Sequence, residues 1–372
     1  MQAGTQALCA ALKNNGNQAL FVGGCVRNAL LGIAVTDIDL ATDARPETVS
    51  NIAKKAGFHV IPTGIAHGTV TVIAQDVAHE VTTFRRDIAT NGRHAVVAFS
   101  DALSDDAARR DFTMNAIYAE ADGRVIDPLE GMPDLFARRV RFVGDATRRI
   151  VEDYLRILRF FRFHAVYGDP ELGIDADGLA ACAENAGGIS LLSRERVGAE
   201  MRKLLAAPNP ERAVAAMMQS GVLAQVINGA DAHALAPLVH LEAGLPARWL
   251  RRLAVLGGQN ADSQLRLSRG EVTDLAKIRD EIGSGLSAAA LGWRLGAELA
   301  QDAVLCRSAV LEMPLTPNWQ KEIHRGAHAI CPVTAADLMP ALQGPALGAR
   351  LKLAEKAWLA SDLHLTKAKL LD

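Results

Sequence analysis

Residues 20–42 read "LFVGGCVRNALLGIAVTDIDLAT", and the fold follows from how this stretch is parsed. "LFV" is a short apolar strand that stops at Gly23 and Gly24, "CVRNALLG" is a short helix closed by Gly32, and "TDIDLAT" alternates as a second strand. On that strand Asp37 and Asp39 lie two apart, so both carboxylates leave the same face. Two carboxylates so close repel unless a cation lies between them, and Mg²⁺ suits an all-oxygen pair that shares its shell with phosphate and water. Gly23 and Gly24 lack Cβ atoms, so the backbone can approach an anion closely, and Arg27 one turn later adds a charged donor. Each part alone has a plainer reading: a tight turn for the glycines, a turn cap for Asp37, a solvated side chain for Asp39. Strand, double glycine, helix and acidic strand in succession set phosphate binding beside metal binding, which is what nucleotidyl transfer requires.

Working outward, the chain has 372 residues, enough for two or more domains. Hydrophobic residues make up 49% and charged residues 22%, the balance of a folded, soluble protein. No apolar run approaches the roughly 20 residues of a membrane span, and the N-terminal "MQAGTQALCAALKNNG" has no basic start, so it reads as a helix and not a signal. Five scattered cysteines form no C-x-x-C pair, which suits reduced, buried thiols and a cytoplasmic location. Net charge is −2, yet eight arginines fall between Arg138 and Arg162, offset by Asp145, Glu152 and Asp153. A solvated charged face is the ordinary reading of such a run; arginine at all eight places points to anion binding.

The first 146 residues mix strand and helix signals. "RPETVSNIAKKAG" places Pro46 early in a helix, "GTVTVIA" and "HEVTTFR" alternate as neighbouring strands, and a polar loop "RDIATNGRH" leads to the strand "AVVAF". From about residue 147 the pattern is helical, with breaks at "YGDPELG", "APNP", "GLPA" and "EMPLTP". The expected architecture is α+β: a head at 1–146 with a small mixed or antiparallel sheet, a helical neck at 147–205, and a helical body and tail at 206–372.

The stretch "GGCVRNALLG…TDIDLAT" resembles the signature of the DNA polymerase beta-like nucleotidyltransferases, and more narrowly the class II tRNA nucleotidyltransferase (CCA-adding) and bacterial poly(A) polymerase family. "HGTVTV", "EVTTFRRD", "NGRHAVVAF", "DDAARRDFTMNAIY", "VIDPLEGMPDL", "VEDYLRILRFFRFHA" and "LLSRERVGAEMRKLL" follow in the family's order. The resemblance is dense from residue 20 to about 205 and thin beyond, although "DLMPALQGPALGARLKLAEKAWLAS" is similar to the family's tail. It implies catalytic, metal-holding roles for Asp37 and Asp39, nucleotide binding by Arg110, CTP and ATP as substrates, and the tRNA 3′ end as acceptor. In "RRDFTMNA", Arg110 can counter phosphate charge, Asp111 can accept from a ribose hydroxyl, and Asn115 can brace either. A surface ion pair is the plainer reading of that triplet. Glu80, at the start of "EVTTFR", is a candidate third carboxylate.

In "EDYLRILRFFRF", Asp153, Arg156, Arg159 and Arg162 recur every three residues, and Leu155, Ile157, Leu158 and Phe161 occupy the opposite, packing side. Cytosine and adenine each offer an amino donor beside a ring-nitrogen acceptor; uracil and guanine reverse that order. Asp153 accepting and Arg156 donating would admit C and A and leave buried charges unpaired against U and G. The resemblance assigns the same role to these two residues. The segment "RRDIATNGRHAVV" resembles the flexible loop of complete CCA-adding enzymes, which favours CCA addition over poly(A) synthesis. A catalytically silent RNA- or nucleotide-binding protein is the third reading, disfavoured by the retained carboxylates. No His-Asp dipeptide occurs, so the phosphohydrolase activity of some relatives is not expected.

Overall fold

The computed structural model describes residues 2–62, 64–91 and 94–372, and these form two compact units, residues 1–193 with 220–225 and residues 194–219 with 226–372. In the first, helix α1 (Ala3–Asn14) precedes strand β1 (Leu20–Val22), α2 (Gly24–Leu30), β2 (Ile38–Thr42), α3 (Pro46–Lys55), β3 (His59–Ile61), β4 (Thr69–Ala74) and β5 (Val77–Thr83). Then come β6 (Arg85–Asn91), β7 (His94–Phe99), α4 (Leu103–Ala108), β8 (Tyr118–Ala119), β9 (Val125–Ile126), α5 (Gly131–Phe136), α6 (Ala146–Glu152), α7 (Leu155–Tyr167) and α8 (Ala176–Glu184). The second unit holds α9 (Arg194–Leu205) and α10 (Glu211–Gln219). After α11 (Val222–Val226) it continues with α12 (Leu235–Leu241), α13 (Trp249–Leu256), α14 (Ala261–Gln264), α15 (Arg269–Ile282), α16 (Ala288–Leu295), α17 (Ala297–Val310) and α18 (Trp319–Ala327). It ends on α19 (Ala335–Leu338), α20 (Gly344–Ala360) and α21 (Lys367–Leu371). The expected mixed sheet followed by helices is what is found.

The main sheet has seven strands in the order β3-β4-β5-β2-β1-β8-β9. Every pair is antiparallel except β2 with β5, which run parallel. β4 reads "TVTVIA" and buries each second residue, as strict alternation dictates for a sheet covered on one face. Helices α1 and α3 supply that cover, packing on β4 and β5 through Leu8, Leu12, Val49 and Ile52. Each such apolar side chain, fully buried, contributes about 1.5–3 kcal/mol.

Three local expectations are corrected. First, the loop expected from Arg86 to His94 is mostly strand: β6 pairs with β7 from Arg85↔Phe99 to Asn91↔His94, with a register shift between Asp87 and Ala89. Residues 92 and 93 of the expected loop lie outside the described residues. Second, β2 begins at Ile38, its first partner being His79 of β5, so Asp37 precedes the strand and does not share its pleat with Asp39. Third, "EDYLRILRFFRF" is two helices. α6 ends at Glu152, and Asp153 is extended (φ −155°, ψ 105°). Its Oδ1 then accepts from Leu155 N at 3.1 Å and its carbonyl from Arg156 N at 3.0 Å. A short acidic side chain competes with the helical hydrogen bond and caps the next helix instead. The packing side of α7 is as expected, with Ile157, Leu158 and Phe161 wholly buried, and Phe160 and Phe163 join Phe112 and Phe142 in one aromatic cluster.

Within the second unit, four helices converge on buried charge. Arg251 of α13 is wholly buried and donates through Nε to Glu242 at 2.5 Å, through Nη1 to Asp302 of α17 at 3.1 Å and through Nη2 to Pro246 O at 2.8 Å. Arg252 reaches Glu242 and the carbonyls of Leu205 and Ala207, tying in the end of α9. Farther along, α16 and α18 cross glycine to glycine. A Cβ on Gly292 would strike Ile323 O, and one on Gly326 would strike Ala289 O. Among the described residues no helix is long and apolar enough to cross a membrane.

Candidate active site

The turn after β1 needs glycine at its first position. Gly23 has φ 71° and ψ −124°, a conformation costly to any residue with a Cβ, and a Cβ there would lie 3.4 Å from Arg110 Nη1. Backbone and guanidinium therefore line one small space. Arg110 is aimed by residues that sequence reasoning passed over: Asp106 accepts from its Nη2 at 2.9 Å, Tyr118 OH accepts from its Nε at 3.0 Å, and Tyr118 OH donates to Asp106 at 2.8 Å. The Asp106 carboxylate beside Arg110 and Arg109 is held below the usual carboxylate range despite its burial.

Asp39 lies beside the same space. Burial raises its pKa first, and the negative charges of Glu80 and Asp37 raise it further, while Arg110 opposes them. Glu80 sits directly across the parallel ladder from Asp39, which makes it the third carboxylate of the neighbourhood. This excess of unrelieved negative charge is what a bound cation would compensate, and carboxylate oxygens are the donors that a hard divalent ion takes. Among the described residues no group of three or more His, Cys, Asp or Glu stands ready to enclose a metal. The donor set fits an ion that keeps part of its shell for phosphate and water.

The remaining residues form a chain of hydrogen bonds. Arg27, buried to 6% exposure, donates through Nη1 to Asn115 Oδ1 and through Nη2 to Tyr167 OH at 2.7 Å. Its Nε and Nη2 also reach Asn28 Oδ1, at 3.2 and 3.1 Å. Asn115 Nδ2 donates to Asp111 Oδ1 at 2.9 Å, and Asp111 Oδ2 accepts from Arg159 Nε at 2.8 Å and Nη2 at 2.5 Å. With Phe112 N also on Oδ1, both oxygens of Asp111 accept twice. In this arrangement the lone pairs of Asp111, the residue expected to receive a ribose hydroxyl, serve Arg159, Asn115 and the backbone. Arg159 holds the Asp111 carboxyl far below its ordinary range, against a large desolvation penalty.

The arginine row divides in the same way. Arg156 pairs with Glu152 at 2.6 Å, and it also donates to the carbonyls of Arg149 and Arg109. Arg149 shares Glu152 and Arg141 is bound to Asp134 at 2.8 Å. Arg162 stacks 4.7 Å from the Phe163 ring centroid. Most of these guanidinia are thus held by the fold, and Glu152 is the residue that positions two of them. A carboxylate four residues before an arginine was a readable signal for both Asp106 and Glu152; nothing local could have linked Tyr167 to Arg27.

Residues 19–141 match the family described as "Poly A polymerase head domain", and residues 171–233 match "Probable RNA and SrmB- binding site of polymerase A". The chain is 40% identical over 203 residues to the CCA tRNA nucleotidyltransferase 1, mitochondrial, of Homo sapiens, covering 54% of this chain and 47% of that protein. It is 40% identical over 215 residues to the CCA-adding enzyme of Geobacillus kaustophilus, covering 57% and 52%. The chain spans about half the length of these curated relatives. A crystal structure of the Bacillus stearothermophilus CCA-adding enzyme in complex with CTP aligns with TM-score 0.75 at 29% identity, over 100% of this chain and 98% of that one.

Proposed function

Because residues 19–141 belong to the poly A polymerase head-domain family, a family of nucleotidyltransferases that generally use a divalent metal, we propose that this chain adds CCA to the 3′ end of tRNA. CTP and ATP are the donors, no nucleic-acid template is used, and pyrophosphate is released. The observation that carries this reading is the overcharged carboxylate group of Asp39, Glu80 and Asp37 beside the Gly23 turn and Arg110. Asp39 and Asp37, with Glu80 nearby, would hold a divalent ion, Mg²⁺ in this reading, which would supply charge neutralisation at the α-phosphorus and lower the pKa of the attacking hydroxyl. The chain's own residues do the positioning. The Gly23–Gly24 turn lets the triphosphate approach the backbone, Arg110 faces it with Nη1, and Arg27 adds a charged donor one turn on.

In the same reading, residues 1–146 act as the catalytic head, 147–205 as the base-selecting neck, and 206–372 as the body and tail that receive tRNA. Glu152 and two backbone carbonyls hold Arg156, which pre-orders its guanidinium, with Asp153, toward the Watson–Crick edge of C or A. Arg162 would add positive charge to that neck. Names of the matching domains refer to poly(A) polymerase, so that activity is the second reading.

The test is incubation of purified protein with Mg²⁺, CTP, ATP and tRNA lacking its 3′ end, with products resolved to single nucleotides. A ladder that stops at three additions supports CCA synthesis. A long A-tail overturns it in favour of poly(A) synthesis, and no extension favours a silent binder.

A further inference from the structure

Arg27 has five N–H donors, one on Nε and two on each Nη. Asn28 takes the Nε hydrogen and one from Nη2, Tyr167 OH takes the other from Nη2, and Asn115 takes one from Nη1. One Nη1 hydrogen is left without a partner among the described residues. Tyr167 does more than accept. Its ring centroid stands 4.1 Å from the guanidinium carbon, Phe163 adds a second face at 5.1 Å, and its hydroxyl donates to Asn28 Oδ1 at 3.4 Å. Asn28 in turn donates through Nδ2 to Ala34 O at 3.2 Å, in the segment that leads to Asp37. Tyr167 is the last residue of α7, the helix that begins beside Asp153 and Arg156.

We propose that Tyr167 is a positioning residue: with Asn28 it fixes the plane of Arg27 so that the single remaining Nη1 N–H faces the phosphates of the incoming nucleotide. This rests on the nucleotidyltransferase reading above. Arg27 is desolvated, and burial lowers its pKa, so the aromatic faces and the two oxygens replace the water it gives up. One rigid helix therefore supports the base-reading arginine at its start and the phosphate-facing arginine at its end. A guanidinium released from Tyr167 would keep its bonds to Asn28 and Asn115 but lose one hydroxyl partner and the ring stacked on it at 4.1 Å, and with them part of what fixes its plane.

The experiment is Tyr167→Phe, which keeps the ring and removes the hydroxyl, compared with Tyr167→Leu, which removes both. For Tyr167→Phe, KM for CTP and for ATP should rise together about fivefold, with kcat and KM for tRNA nearly unchanged, as expected for one lost bond to a charged group. Inhibition by inorganic pyrophosphate, which carries no base, should weaken by the same factor, and C-over-U selection should not move. In an Arg27→Lys background the Tyr167→Phe change should add nothing, because its effect passes through Arg27. Unchanged KM and pyrophosphate inhibition in both Tyr167 variants would overturn the proposal. So would a CTP effect without an ATP effect, or a rise in KM that persists in the Arg27→Lys background. Failure of the unsubstituted protein to incorporate C or A would instead strike the nucleotidyltransferase reading, and pyrophosphate binding by equilibrium dialysis still separates the two Tyr167 variants.

Discussion

Asp39 is a residue kept where folding alone would not keep it. Burial and two neighbouring carboxylates push its pKa up, so its charge costs stability unless a cation is present. Asp39→Asn is accordingly expected to raise the metal-free denaturation midpoint by the equivalent of ~1 kcal/mol while lowering nucleotide incorporation by roughly a thousandfold; paired denaturant melts and gel assays check both. Asp111 has the opposite character. Its folded pKa is depressed, so its ion pair with Arg159 adds stability that is complete above the unfolded pKa of about 3.9 and drains away as pH falls below it toward the folded value. Urea midpoints measured from pH 6 to pH 2.5 should therefore fall more steeply in the unsubstituted protein than in Asp111→Asn, which starts lower and changes less. Two carboxylates of the site are thus pushed in opposite directions, Asp39 by burial and like charge and Asp111 by its ion pair.

At the level of elements, what the sequence made legible follows the reach of its signals. Period-two alternation marked β4 and β5 because each buries one face, and the glycine and proline punctuation marked α2 and α3. β6 escaped because Arg85, Arg86, Asp87 and Asn91 carry no apolar alternation; the strand exists by pairing with β7, a tertiary fact. The break at Asp153 escaped because periodicity reads through a single capping residue. Of the site, Gly23, Arg110 and Asp39 do gather where the motif put them, whereas the roles of Asp111 and Arg27 depended on partners 48 and 140 positions away. The β6–β7 hairpin carries its own prediction. If the chain adds CCA as proposed, replacing residues 86–98 by a short glycine-rich turn should leave C addition largely intact and reduce A addition by tenfold or more (on the order of 1.4 kcal/mol), seen as products halted after two nucleotides.

At the scale of the whole molecule, the helical unit carries a buried charge cluster of its own. Arg251, Glu242, Arg252 and Asp302 are buried together, and taking away one member strands the others. Arg251→Met is expected to destabilise the protein by about 3–5 kcal/mol, seen as a lowered midpoint for the helical signal in denaturant, with nucleotide binding by the head retained at low denaturant. The crossing of α16 and α18 limits the molecule in a different currency, that of descent. Every single-base change that replaces glycine by another amino acid introduces a Cβ, and at Gly292 or Gly326 that atom has a carbonyl in its place. Any such replacement requires the two backbones to part at their crossing, so a lineage can vary the surface around this pair far more readily than the pair itself.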